Sequence, residues 1–381
     1  MSHRLVTMAV LLLLATPLAC NRNGRSGYPI ILLAPRSGQQ AALGVQIDRA
    51  RLMVEHELQE AHDASVSIFE VDSTSQPMVA SAEIERALDQ YHAKFVVGSI
   101  LSGETRNFLQ DVLRRDVLVL ANGSSDPSIR TLPYRRRQDG FFRNWPPDDV
   151  EGRAMAEYVH ASLHISHLAV FCADDAYARA LTNTFVRRFR ELGDAANDPQ
   201  IYSTAATSFE SVLGRVDPAT VGGYYIVGLP RDLAGIYNTL RDAFKTQHMP
   251  IFSAVAAETS EFRALVRKPL DNLYYTSPSS DFTSSEYFNF KEAYRKLFGG
   301  ESPDIVAAIT YDALRIMISA VKRAGGDADK AKSYLYTMAP FMGATGPTKF
   351  DDMGDVISKP IAIHFYEGGL QRLAVATGNG Q

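Results

Sequence analysis

Residues 94–125 read KFVVGSILSGETRNFLQDVLRRDVLVLANGSS. Two apolar runs rich in β-branched residues, Lys94–Ile100 and Val117–Ala121, flank a stretch near 104–114 with helical spacing, the alternation of a parallel strand–helix–strand unit. Each run ends in a loop of small polar residues, Gly98 to Ser102 and Asn122 to Ser125. Both loops fall at the carboxyl ends of parallel strands, where open α/β sheets leave a crevice.

Upstream the same alternation continues. Pro29–Ala34 (PIILLA) is a strand, and the following helix carries Ile47, Ala50, Val54, Leu58 and Ala61 at three- and four-residue steps, a stripe that covers one face of a sheet. Val66–Val71 is the next strand, with a helix near 80–93. After Pro146-Pro147 the pattern restarts: a helix from Asp148, a strand at 167–172, a helix from Tyr177, a strand Tyr224–Gly228, a helix from Arg231 and a strand Ile251–Val255. A very apolar helix follows from Asp304 to about Ala324, with Ser302 as expected N-cap, Pro303 at the first helical position and Gly325-Gly326 as its stop. Late strands are expected near Thr348–Phe350 and Ile361–Phe365. The fold class is therefore α/β, two doubly wound parallel-sheet lobes, and 381 residues suit two cores better than one.

With 46% hydrophobic and 22% charged residues the composition is that of a folded globular chain. A formal charge of −4 leaves no basic excess to neutralise phosphates, so no nucleic-acid partner is expected, and Arg135 to Arg137 is taken as a solvated run. The N-terminus sets the compartment. Residues 1–19 have the form of a signal peptide: His3 and Arg4, an apolar run Leu5 to Ala15, then Leu18-Ala19-Cys20. The run is about 11 residues, short of the roughly 20 that span a bilayer. Small residue before cysteine resembles a bacterial lipobox, with Pro17 where Leu is usual, so Cys20 is the expected lipidation site and 20–27 a tether. Cys172 ends an apolar strand and reads as a free core cysteine.

Several loops in order resemble the leucine/isoleucine/valine-binding family of type I periplasmic solute-binding proteins, over residues 28 to about 370. Pro35-Arg-Ser-Gly38 is similar to the family's opening Pro-x-Ser-Gly, and Asp72 to Pro77 to its Asp-x-x-x-x-Pro turn. Val97-Gly98-Ser99 through Ser102 and Asn122 to Pro127 resemble the ligand loops after the third and fourth strands, and Phe142-Arg143 the pair before the crossover. Ala173-Asp-Asp-Ala-Tyr177 resembles the family's D-x-x-Y-G loop, with Ala178 for Gly. The run Gly343-Ala-Thr-Gly346-Pro-Thr-Lys-Phe350-Asp351, then Gly354-Asp355, is the closest match.

The resemblance implies two lobes joined by three crossings, 28–142 plus 277–342 and 143–276 plus 343–381. It also implies closure on a small molecule, such as an amino acid, amide or small carboxylate, and its delivery to ABC permease subunits, from a periplasmic position anchored to the membrane by the N-terminal lipid. Ser102, Gly123 and Ser125 then line the cleft from lobe one and Tyr177 from lobe two. For Ser102, Ser125 and Asp126 the plainer alternative is helix capping. Two family positions are not matched: a second tyrosine falls on Gly228, and the acid that meets an α-ammonium falls among Ala254, Val255 and Ala256, with Glu258 the nearest substitute. A regulatory lipoprotein of the same fold, such as a cell-wall synthase activator, is the rival. No cofactor or metal is expected: His160, His164 and His167 lack a completing ligand, and no G-x-S-x-G, phosphate loop, H-E-x-x-H or G-x-G-x-x-G occurs, so no catalytic residue is assigned.

Overall fold

The computed structural model describes residues 27–376 apart from 245, 247, 279–283 and 358. The expected signal peptide, Cys20 and nearly all of the tether lie outside the described residues.

The first lobe begins with β1 (Tyr28–Ala34), α1 (Ala41–Glu60), β2 (Val66–Asp72), α2 (Pro77–Tyr91), β3 (Phe95–Val97), α3 (Ser102–Leu113), β4 (Leu118–Ala121) and β5 (Phe141–Arg143). Its sheet has the order β2-β1-β3-β4-β5, parallel throughout. Strands buried on both faces read as continuous apolar runs, and Ile30 to Ala34 are all fully buried. One face packs against α1, where Ile47, Ala50 and Val54 are in the core, and the other against α2 and α3.

The second lobe holds α4 (Asp148–Tyr158), β6 (His167–Ala173), α5 (Ala176–Glu191), β7 (Ala195–Ala196), β8 (Gln200–Tyr202), α6 (Glu210–Leu213), β9 (Tyr224–Val227), α7 (Pro230–Asp242), β10 (Ile251–Ser253), α8 (Ser260–Leu265) and β11 (Leu273–Ser277). The chain then returns to lobe one for α9 (Ser285–Leu297), α10 (Ile305–Ala324), α11 (Ala328–Thr337) and the ribbon β12 (Phe341–Gly343) and β13 (Gly346–Thr348). It ends on the second sheet with β14 (Ala362–Glu367) and β15 (Leu370–Ala376), added antiparallel beyond β11. That sheet runs β15-β14-β11-β10-β9-β6-β7, with β8 also on β6.

Three differences from the sequence reading have physical reasons. The cap of α10 is Asp304, not Ser302: its carboxylate accepts from the Val306 and Ala307 N–H groups at 3.0 and 3.2 Å, a charge-assisted cap that a serine two residues earlier does not reach. Phe141–Arg143 is a strand although it ends in a charge. The third crossing is later than residue 342, because Ala344, Phe350 and Val356 sit in the core of lobe one and the chain joins the second sheet only at Ala362.

The 343–355 run is a clasp. The Asp312 carboxylate accepts from the Ala344 and Thr345 N–H groups, both 2.8 Å, and a Cβ on Gly343 would lie 2.4 Å from it. Gly354 has φ +79°, and a Cβ there would fall 1.8 Å from the Phe141 carbonyl oxygen, so only glycine lets this turn lie against β5.

Candidate functional site

Between the lobes lies a cavity of about 240 Å³, walled by loops at the carboxyl ends of strands from both sheets. Lobe one contributes Gln39 and Gln40 after β1, Ser102 and Glu104 at the start of α3, and Gly123 and Ser125 after β4. Lobe two contributes Asp175 and Tyr177 after β6, Gly228 after β9, and Val255 and Ala256 after β10, while Trp145 enters from the first crossing. The four residues singled out in the sequence thus share one wall-to-wall space.

Their local settings decide between capping and lining. Ser102 is the first residue of α3 rather than its cap, and its hydroxyl oxygen accepts from the Asp126 N–H at 3.3 Å, tying the two lobe-one loops together. Asp126 caps the short helical turn that follows it, Pro127–Thr131, accepting from the Ser128 N–H at 2.8 Å. Gly123 is required by space: a Cβ there would lie 2.5 Å from Ile100 Cγ1 and 2.8 Å from the Ile100 carbonyl oxygen.

The loop is held from below by Arg143, fully buried, whose guanidinium donates to the Ser124 and Asp126 carbonyls at 3.0 and 2.9 Å and to Asp355 Oδ1 at 2.6 Å. Fixing a loop through its carbonyls while the charge is met by a carboxylate is what a planar, five-donor guanidinium does well.

The two unmatched family positions are now explained. A Cβ on Gly228 would sit 2.1 Å from the Tyr202 hydroxyl, which donates to the Val227 carbonyl at 3.0 Å, so a neighbouring tyrosine already fills that space. Val255 and Ala256 line the cavity without charge, and Glu258 is turned away into a separate cavity of about 500 Å³ with Arg263 and Asp304, where burial raises its carboxyl to about 7.

Acids reach the site from elsewhere. Asp148 and Glu151, on the first turn of α4, are 0% and 1% exposed and lie behind Ser125, Tyr177, Trp145 and Val255. Asp148 donates its N–H to the Ser125 carbonyl at 2.9 Å, and the Ser125 hydroxyl and the Arg143 charge favour its carboxylate form. Burial, with Glu151 close by, pushes the Asp148 carboxyl well up, and burial raises Glu151 to about 7 against the hydrogen bonds of Thr276, the Val255 N–H and the Trp145 indole. The buried Tyr177 hydroxyl has no partner and faces this pair. An acidic first turn is the common way to complement a helix dipole, so sequence gave no sign of this burial.

The histidines go to separate partners, His160 to Asp194 and His167 to Asn197, both 2.8 Å. Burial raises the Cys172 thiol to about 11, which leaves it inert.

Two α/β lobes closed on a cavity at the carboxyl ends of their strands define a bilobal small-molecule receptor of type I topology. The chain belongs to the periplasmic binding protein family, whose model matches residues 28–364. An amino acid binding protein of Pseudomonas aeruginosa is 20% identical over 93% of this chain and 95% of its own length. Among solved structures, a leucine binding protein from Thermotoga maritima has a TM-score of 0.83 at 21% identity, covering 92% of this chain and 99% of that one. The branched-chain amino acid transporter substrate binding protein of Streptococcus pneumoniae, in complex with isoleucine, has 0.81 at 20%, with the same coverage.

Proposed function

We propose that this protein captures a small amine-bearing solute, an amino acid or amide, between its lobes outside the cytoplasmic membrane and delivers it to an ABC permease, while the lipid on Cys20 holds it at the membrane surface. The carrying observation is the convergence of Ser102, Gly123, Ser125 and Tyr177 on one interlobe cavity. A ligand touching both walls favours the closed arrangement by its extra interaction energy there. Ser102 and Ser125 offer hydroxyls and Gly123 backbone, Tyr177 covers the ligand with its ring, and Glu104 and Asp175 are the carboxyl groups on the cavity wall that can meet an ammonium. The likeness to an amino acid binding protein supports this reading.

The test is Ser125→Leu. It should abolish binding of the ligand found by screening while leaving the circular dichroism spectrum unchanged; unaltered affinity would refute the assignment.

A further inference from the structure

A second cavity, of about 500 Å³, spans the two lobes beside the cleft, and Ile305 borders both. Lobe one supplies Lys291 from α9 and Asp304 at the start of α10, and lobe two supplies Glu258, Arg263 from α8 and Arg372 from β15. His364 and Tyr366 of β14, 2% and 3% exposed, close its wall. The two cavities differ in charge. None of the residues lining the cleft is Lys, Arg or His, whereas Arg263, Lys291 and Arg372 all border this one.

The two acids of this cavity are occupied elsewhere. Asp304 accepts from the Ser260 N–H and hydroxyl at 3.0 and 2.8 Å and from the Val306 and Ala307 N–H groups that it caps. Glu258 is raised by burial to about 7, against a hydrogen bond from Ser277 and the Arg263 charge, so below neutrality it carries little negative charge. The cations are met less completely. Among the described residues Lys291 makes no ion pair or hydrogen bond, and Arg263 makes no ion pair, donating instead to the Glu258 backbone carbonyl. Arg372 is paired only with Glu367, and both side chains are more than half exposed, where such a pair contributes little. The space between the lobes here therefore has a surplus of positive charge and the room to hold a partner for it.

We propose that this second cavity binds a small oxyanion of two or more negative charges, a polycarboxylate or a phosphoanhydride, held by Lys291 from lobe one and by Arg263 and Arg372 from lobe two. The guanidinium groups offer paired donors to an oxyanion and the ammonium a compact charge. The inference does not depend on what the cleft holds.

The experiment is calorimetric titration of the full chain with citrate, inorganic pyrophosphate and acetate in about 0.1 M sodium chloride, at a pH about half a unit below the Glu258 titration. Citrate or pyrophosphate should bind at least about tenfold more tightly than acetate, because a second charge meets a second cation. Citrate above pyrophosphate identifies a polycarboxylate site, and the reverse a phosphoanhydride site. Lys291→Gln and Arg263→Gln should each weaken that binding about tenfold, and Lys291, with no partner of its own to lose, keeps the test clear of misfolding. Lys296→Gln, an exposed lysine of α9 outside the cavity, and Ser125→Leu in the cleft should change it less than about threefold. Equal losses in Lys296→Gln and Lys291→Gln would mean unspecific surface attraction, and loss in Ser125→Leu would put the anion in the cleft. Either result, or no binding of citrate and pyrophosphate to a folded chain, overturns the inference and leaves solute capture in the cleft standing.

Discussion

Four residues separate two buried ionisable groups at the first crossing, Arg143 and Asp148, and they are handled in opposite ways. Arg143 is fully buried and paired: Asp355 accepts from its Nε and meets its charge, and the Ser124 and Asp126 carbonyls accept from its Nη1. Asp148 is equally buried, and there burial and the neighbouring acid Glu151 outweigh the Ser125 hydroxyl and the Arg143 charge, so its carboxyl is pushed well up. The first arrangement is a fastener between β5 and the 343–355 clasp. The second is a pair of acids behind the cleft wall whose ionisation burial opposes. Buried ionisable groups are thus handled in two ways, and the difference is whether an opposite charge is hydrogen-bonded to them.

The largest expected effect comes from breaking the Arg143–Asp355 pair. Asp355→Ala leaves a guanidinium buried without its carboxylate and should destabilise the protein by about 3–5 kcal/mol in urea unfolding. It should also loosen the Gly123–Ser125 loop, so ligand affinity falls with stability. A loss under about 1 kcal/mol would mean the fastener is dispensable.

The converse substitution acts on the acidic side. Glu151 is faced by Thr276, the Val255 N–H, the Trp145 indole, Asp148, Tyr177 and Tyr225. Its carboxyl titrates at about 7 when folded against an ordinary 4.5, so folding favours the protonated form. The cost of ionising it is absent below about pH 4.5, grows between 4.5 and 7, and is complete above 7. Glu151→Gln should therefore stabilise the ligand-free protein by on the order of 2 kcal/mol at pH 8 and by almost nothing at pH 4. Thermal melts at both pH values check this. Equal effects at both would show that packing, not charge, sets the response.

Smaller effects mark the edges of the comparison. Gly123→Ala pushes a methyl against Ile100 and should reduce ligand affinity about tenfold at a stability cost near 1–2 kcal/mol, measured by titration and melting. Lys332→Ala removes an i,i+3 partner of the exposed Asp329 and should change stability by less than about 0.5 kcal/mol. A larger change would mean that surface charge matters here as buried charge does.

Much of this was legible in the sequence for identifiable reasons. Strands buried on two faces announce themselves as apolar runs, so β1 to β4, β6, β9 and β10 were found, and small polar residues after them marked the cleft. The 343–355 run stood out because glycines at 343 and 354 answer to close contacts with Asp312 and Phe141. What escaped was decided by three-dimensional surroundings. Arg143 makes β5 look like a loop, and β11 (LYYTS) is short and partly polar. Asp148 and Glu151 look like any acidic helix start, although lobe packing takes them out of water. Even the family resemblance pointed for the counter-charge to 254–256, where Val255 and Ala256 line the cavity without charge.

The most direct test of solute capture in this cleft is a thermal-shift panel of lysine, cadaverine, leucine, glutamine and benzoate on the wild-type chain and on Ser125→Leu. At 100 times its dissociation constant a ligand contributes about 2.7 kcal/mol, enough to move the melting temperature by several degrees. The account predicts a shift for at least one amine-bearing compound in the wild type and none for it in the variant. A shift that survives in Ser125→Leu would place the ligand elsewhere, and no shift for any compound with a well-folded wild type would contradict solute capture and favour a regulatory lipoprotein.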